Sequence, residues 1–345
     1  MTATLFSKII RHIAPGEVRA VLFDAEDRAC RIFTERWGGN RQLARYGSIH
    51  KARVRAFAET QGGAFLELAS GEEAFLRLAA RRELTEGAQV TVEIASEARA
   101  DKLARATVTT KPVTEIDAWT LWRAQIPGAE TLDVEDDADR VEAAIEQALA
   151  PSVTLQDGGQ LHIDRTRALN AIDIDTSGRL QKGSAGARAL TLNKIAVQEM
   201  ARQISLRGLG GNVVLDCVGP LNKTASEKIQ QTASAAFEAV GLQGVKVLRP
   251  SSLGLMESSV PWRACPVEDR LAAIPRETEL LSLMRDAARE AKVNPASLFQ
   301  LVLSKSARQA YLDRRGDVDQ ALIDHFSGRV TISDELSEMS KVTKR

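Results

Sequence analysis

The sequence predicts an α+β protein in which a small closed β-barrel precedes a separate α/β unit. Three observations predict it. Between Gly47 and Val108, four segments (GSIHKARVRAFAET, GAFLELASG, EEAFLRLA and AQVTVEIASE) alternate apolar and polar residues between glycine-containing breaks. That density of short strands fits a closed barrel of the OB type. Residues 153–266 read β-β-α-β-α-β, the order of an α+β or α/β domain. Beyond Pro266, RETELLSLMRDAAREA and PASLFQLVLSKSARQAYLDRR carry helical patterns, and a polar, Ser/Lys-rich tail is expected to be disordered.

Taken in order, VRAVLFDAEDRACRIFT (18–34) is two apolar runs around an acidic turn, a predicted hairpin, and 35–46 a connection. The mixed segment 109–133, with Trp119 and Trp122, receives no assignment. DVEDDADRVEAAIEQAL (133–149) predicts a helix: Asp133, Glu135, Asp136, Asp137 and Asp139 crowd its start, where carboxylates complement the helix dipole. Val141, Ala144, Ile145 and Leu149 share its apolar face. GGQLHID and ALNAIDID flank a turn as a second hairpin. A helix over 185–207 ends at Gly208–Gly211 with an arginine in its last turn. GNVVLDCV follows as a buried strand, SEKIQQTASAAFEAVG (226–241) as an amphipathic helix, then VKVLRP and LGLMESS as strands. The resulting division is 1–46, 47–108, 109–152, 153–266 and 267–345.

Composition removes several function classes. Of 345 residues 44% are hydrophobic, enough for a sizeable core, and 46 Lys+Arg balance 46 Asp+Glu. With zero net charge, attraction for a polyanion has to come from local patches. The three cysteines (Cys30, Cys217, Cys265) offer neither a disulfide framework nor a CxxC zinc pair. The opening MTATLFSKIIRHIAPG is broken by Lys8, Arg11 and His12 and does not read as a signal peptide, and no run reaches 18 apolar residues. A cytoplasmic location without a membrane partner is the expectation. His12, His50, His162 and His325 show no ligand spacing and read as structural or solvated, and no Walker or dinucleotide glycine loop is present.

The chemistry-bearing candidates are carboxylates. In Ala-Ile-Asp-Ile-Asp, strand alternation sends Asp173 and Asp175 to one face, and Asp216 ends the Val-Val-Leu-Asp run. Carboxylates converging from adjacent strands suit a hard cation, Mg²⁺ or Mn²⁺. Such an ion can polarise a phosphate oxygen, acidify a water and orient in-line attack. By pattern alone, aspartates that sit at strand ends and simply cap turns are the favoured reading.

The segment GGQLHIDRTRALNAIDIDTSGR…NKIAVQEMARQISLRGLGGNVVLDCV resembles the catalytic region of the bacterial ribonuclease E/G family. There a hairpin carries an Ile-Asp-hydrophobic-Asn signature, and a helix ending Arg-Gln-(x)-Arg-Leu-Arg-Asp-Leu-Gly-Gly leads to an Ile-Asp strand. Here the helix ends Ala201-Arg202-Gln203-Ile204-Ser205-Leu206-Arg207-Gly208-Leu209-Gly210-Gly211. Ser251-Ser252-Leu253-Gly254-Leu255-Met256-Glu257 resembles the family's Ser-Arg-Phe-Gly-Leu-Leu-Glu. The resemblance spans about 110 residues in the family's order.

The resemblance implies an S1-like barrel (47–108) inserted in a ribonuclease-H-like segment, then a deoxyribonuclease-I-like catalytic subdomain (153–266) and a helical C-terminal region. It implies a metal-dependent endoribonuclease of single-stranded RNA, with Asp173 and Asp216 holding Mg²⁺ (or Mn²⁺) and Asp175 where the family has a metal- or phosphate-orienting Asn. Phe75 stands where the family stacks a ring on a base, and Lys102 where it offers a cation to the strand; barrel core is the alternative for Phe75. Arg179 and Lys182, with Arg188 and Asn193 nearby, could position phosphates or form a solvated face.

The sequence also departs from the family. The 5′-monophosphate-sensing insertion has no counterpart, the aspartate expected three residues after Asp216 is Gly219, and the arginine expected before Leu253 is Ser252. The paired-cysteine zinc link is reduced to Cys265-Pro266, which leaves oligomerisation open but not zinc-linked. These departures keep a second reading in view, an RNA-binding member with weakened or lost catalysis.

Overall fold

The computed structural model describes residues 6–37, 44–78, 84–99, 102–113, 116–133, 138–156, 158–176, 183–272 and 274–345. Strands β1 (Phe6–Ala14), β2 (Glu17–Asp24) and β3 (Ala29–Arg36) form an antiparallel meander. The opening apolar stretch is therefore a strand of this sheet, with Ile9 and Ile10 fully buried.

After β3 the chain builds the barrel: β4 (Ile49–Ala58), β5 (Gly63–Leu68), β6 (Glu73–Arg77), β7 (Gln89–Ser96) and β8 (Ala104–Val108), closed in the order β4-β5-β6-β8-β7. Its interior is the alternating set Val54, Leu66, Leu68, Leu76, Val92 and Ile94.

The chain returns through α1 (Ala118–Ala124) to β9 (Glu130–Asp133), which adds parallel to β1 with Lys8 opposite Glu130. The barrel is thus an excursion out of a four-stranded sheet ordered β3-β2-β1-β9. Helix α2 (Ala138–Leu149) buries Val141, Ala144, Ile145 and Ala148 against Ile10, Val21 and Phe23. Two expectations change here. Asp133 ends β9 and accepts from Arg11 at 2.5 and 2.7 Å instead of starting the helix, and Leu149 lies off the buried face. Its position beside a sheet cation outweighs the helix-dipole preference.

The third unit is a six-stranded sheet, β10 (Ser152–Thr154), β11 (Gln160–Arg165), β12 (Leu169–Asp175), β13 (Gly211–Asp216), β15 (Leu255–Val260) and β14 (Lys246–Val247), in that spatial order. Helices α3 (Ala185–Arg207) and α4 (Lys223–Ala239) share one core with the sheet. Ser184 caps α3 by accepting from the Ala187 N–H, and Gly208 closes it at φ +67°. Ile204 belongs to the sheet's core and Leu206 to that of α2, so the last turns of α3 bolt the two units together.

The C-terminal region is not purely helical. Between and after α5 (Val267–Ala272), α6 (Pro275–Val293), α7 (Lys305–Asp313) and α8 (Arg315–Phe326) stand β16 (Phe299–Leu303), β17 (Val330–Leu336) and β18 (Lys341–Lys344), ordered β17-β16-β18. The run Phe-Gln-Leu-Val-Leu is a central strand, and a short apolar run does not reveal its period by itself. The tail expected to be disordered instead supplies both flanking strands.

Candidate active site

β12 and β13 are parallel neighbours at the centre of the six-stranded sheet, with Ile172 opposite Leu215. Ile172, Ile174, Val213 and Leu215 face the helices and are buried. Alternation therefore sends Asp173, Asp175 and Asp216 to the other face. One step beyond Ile172–Leu215, the last pair of the ladder, stand Asp173, two residues before the end of β12, and Asp216, the last residue of β13. Both are exposed, Asp175 is half-buried, and among the described residues neither Asp173 nor Asp216 has a hydrogen-bond or ion-pair partner.

The chain beyond Asp216 is fixed from two sides. Asn193, wholly buried on α3, accepts from the Val218 N–H at 3.0 Å and donates to the Val218 carbonyl at 2.8 Å. On the other flank the Cys217 N–H donates to the Gly254 carbonyl at 3.1 Å. Gly254 has φ +87°, and a Cβ there would lie 3.2 Å from the Cys217 carbonyl and 3.7 Å from Asp216 Oδ1. Only a glycine fits this conformation and approach without strain. The turn also leaves Leu253, the residue before Gly254, 82% exposed.

Two neighbours were missed in the sequence. His162 lies opposite Asp173 on β11, half-buried, between Leu161 and Ile163, which point into the core. Its phase in Leu-His-Ile was the available signal. Asn193 was noted only for its neighbourhood; a lone amide on an apolar helix face was its signal.

The donor set limits the chemistry. Among the described residues no three His, Cys, Asp or Glu side chains converge to hold a metal ion. Asp173 and Asp216 are hard oxygen donors without a competing cation among the described residues, which fits Mg²⁺, an ion often held by one or two carboxylates with water and substrate phosphate completing its shell. Cys217 adjoins Asp216, but burial, reinforced by that carboxylate, pushes its thiol up to about 12. It is not a nucleophile at neutral pH.

On the barrel, Phe75 lies outside the core. It is half-buried between the buried Ala74 and Leu76, pairs with Phe65 across β5–β6, and its ring stands edge-on to Phe65 at 5.5 Å. Gly63 makes room for it: a Cβ there would be 2.3 Å from the Phe75 ring. Arg105 is its partner on β8. Lys102 is exposed near the start of β8, beside Arg99, whose guanidinium lies 3.9 Å over the Trp262 ring. Arg179 and Lys182 fall outside the described residues.

A model of the Ribonuclease E/G family matches residues 72–259, more than half of the chain. The chain belongs to the ribonuclease E/G family. Ribonuclease E of Haemophilus influenzae is 34% identical over 120 residues, which cover 35% of this chain and 13% of that protein. Ribonuclease G of Escherichia coli K12 is 32% identical over 117 residues, 34% of this chain and 24% of that protein. Ribonuclease E of the same strain is 40% identical over 79 residues, 23% and 7% respectively. The chain thus matches less than a quarter of each of these relatives' lengths. The ribonuclease E/G match runs from the second half of the barrel to β15, so it includes Phe75, Asp173, Asn193, Asp216 and Gly254. Among the described residues no helix is long and apolar enough to cross a membrane.

Proposed function

We propose that this chain is an endoribonuclease that hydrolyses single-stranded RNA with the help of Mg²⁺ (or Mn²⁺) held by Asp173 and Asp216. The observation that carries the reading is the placement of these two exposed carboxylates one step beyond the last pair of two adjacent strands, each without a cationic partner among the described residues, in a region matched to ribonuclease E/G proteins. Two like charges on adjacent strands repel, and a divalent cation between them offsets that repulsion. When bound, the ion supplies charge neutralisation at the scissile phosphate and acidifies a water.

The protein's own groups position. Asn193 and Gly254 hold the backbone beside Asp216, so its carboxylate is pre-set before substrate arrives. Leu253, the residue before Gly254, offers an exposed apolar rest for a base. On the barrel, Phe65 and Phe75 offer rings for stacking and Arg105 and Lys102 cations for the backbone, a sequence-tolerant grip.

The test is incubation of an end-labelled single-stranded RNA with Mg²⁺, comparing the wild type with Asp173→Asn. Cleavage by the wild type that EDTA and Asp173→Asn each abolish is expected. Asp175, Gly219 and Ser252, all departures from the family pattern, favour a second reading, an RNA-binding protein with reduced catalysis. Salt-sensitive binding without metal-dependent cleavage would select it, and absence of both would remove RNA altogether.

A further inference from the structure

At the opposite end of α3 from Asn193 lies a cavity of about 100 Å³ that is partly open to solvent, so a ligand larger than this volume can extend through its mouth. Ser205 in its wall lies twelve helical positions beyond Asn193, about 18 Å along the axis. The barrel, the N-terminal sheet and the six-stranded sheet unit all contribute to it. Among the described residues, four arginines (Arg31, Arg45, Arg263 and Arg270) line it against one carboxylate, Glu97.

That carboxylate is already engaged. Burial alone would raise the Glu97 carboxyl, but Arg270, Arg45 and the N–H groups of Cys265 and Tyr46 hold it below its usual value. Its close partner is Arg270; Arg45 reaches it only at 4.0 Å. The Arg45 side chain is 13% exposed, and its Nε is buried without a hydrogen-bond partner among the described residues. Arg31 has one long bond, 3.4 Å to the Val240 carbonyl. Burial, with Arg263 beside Arg31 and Arg270 beside Arg45, pushes both guanidinium groups down to about 10. Ser205, 4% exposed, adds a hydroxyl without a partner. Buried donors in such excess call for an acceptor-rich anion.

The rest of the wall is apolar, with Trp122, Leu121, Tyr46 and Leu209. We infer that this cavity is a binding site for a small ring-bearing phosphate monoester, the class that includes nucleoside monophosphates, with Arg31, Arg45 and Ser205 taking the phosphate and Tyr46 and Trp122 flanking the ring. A planar fork of donors matches phosphate oxygens in pairs. The site is distinct from the Asp173–Asp216 pair and does not depend on the ribonuclease reading.

The experiment is thermal unfolding of the full chain in EDTA with AMP, phenyl phosphate, inorganic phosphate or adenosine, each at millimolar concentration. AMP and phenyl phosphate are expected to raise the midpoint by several degrees, phosphate less and adenosine not at all. Arg45→Met and Arg31→Met should each weaken binding at least tenfold, while Asp173→Asn retains the full shift. Both methionine variants remove a poorly compensated buried charge and are expected to melt no lower than the wild type. No shift with any phosphate, an equal shift with inorganic phosphate, or a full shift in both methionine variants would overturn the assignment. RNA cleavage is not the readout, so this outcome stands apart from that of the nuclease assay.

Discussion

Asn193 grips Val218 by both backbone groups, accepting its N–H at 3.0 Å and donating to its carbonyl at 2.8 Å. The same amide nitrogen also donates to Ala189 at 2.8 Å, so this buried carboxamide joins helix α3 to the segment just past Asp216. Asn193→Ala leaves the Val218 groups without these bonds and should destabilise by about 1–3 kcal/mol. Cleavage should fall further than the unfolded fraction explains, measured well below the melting midpoint.

For the carboxylate pair the prediction is a reversal. In EDTA, Asp173→Asn or Asp216→Asn removes a like-charge neighbour and should stabilise slightly, within about 0.2–1 kcal/mol. In Mg²⁺ at a hundredfold excess over Kd the wild type should gain about 2.7 kcal/mol that the variants lack. Urea unfolding in the two buffers reads the change of order.

Phe75→Ala should leave the barrel folded, because the ring lies outside the interior set. RNA affinity should drop by about 1–3 kcal/mol, equally for different homopolymers, since stacking is sequence-tolerant. A drop confined to one base would argue for edge recognition instead.

Gly254→Ala places a methyl 3.2 Å from the Cys217 carbonyl on a backbone at φ +87°. A loss of about 1–2 kcal/mol is expected for the left-handed conformation alone. Since Asp216 Oδ1 is only 3.7 Å from that methyl, cleavage should fall as well, seen as a lower kcat for the folded fraction.

The His12 imidazole is pushed down to about 4, by burial first and then by Arg19 and Arg285. Between its ordinary value of 6.5 and about 4 the unfolded chain takes up a proton that the native state refuses. Stability is therefore expected to fall as pH drops through that window, and His12→Gln should flatten the decline. Urea midpoints at steps between pH 7 and pH 4 check it.

The barrel and α3 were legible because their signals are local: alternation between glycine breaks, and a helix with an arginine in its last turn and a glycine stop. The adjacency of Asp173 and Asp216 was less so, since it rests on a register between strands 43 residues apart. Resemblance to family motifs, more than pattern, brought that pair together. The C-terminal sheet was hidden because Phe299–Leu303 is short and apolar apart from Gln300, and β17 and β18 are polar strands that acquire meaning only beside it. Asp133 went to the wrong element because its partner, Arg11, lies 122 residues away. The phase of His162 was readable, but the carboxylate opposite it was not.

The detour of the chain through the barrel sets a timetable for synthesis. β1 acquires its parallel neighbour only when Glu130 follows Lys8 out of the ribosome, 122 residues later. At about 5–20 residues per second that is roughly 6–24 s during which one edge of β1 is open to wrong partners. The barrel, whose strands all lie between residues 49 and 108, has every contact it needs to close during that wait. A nascent chain stalled before Glu130 should therefore present a finished barrel beside an unfinished sheet, the state a chaperone would have most reason to cover.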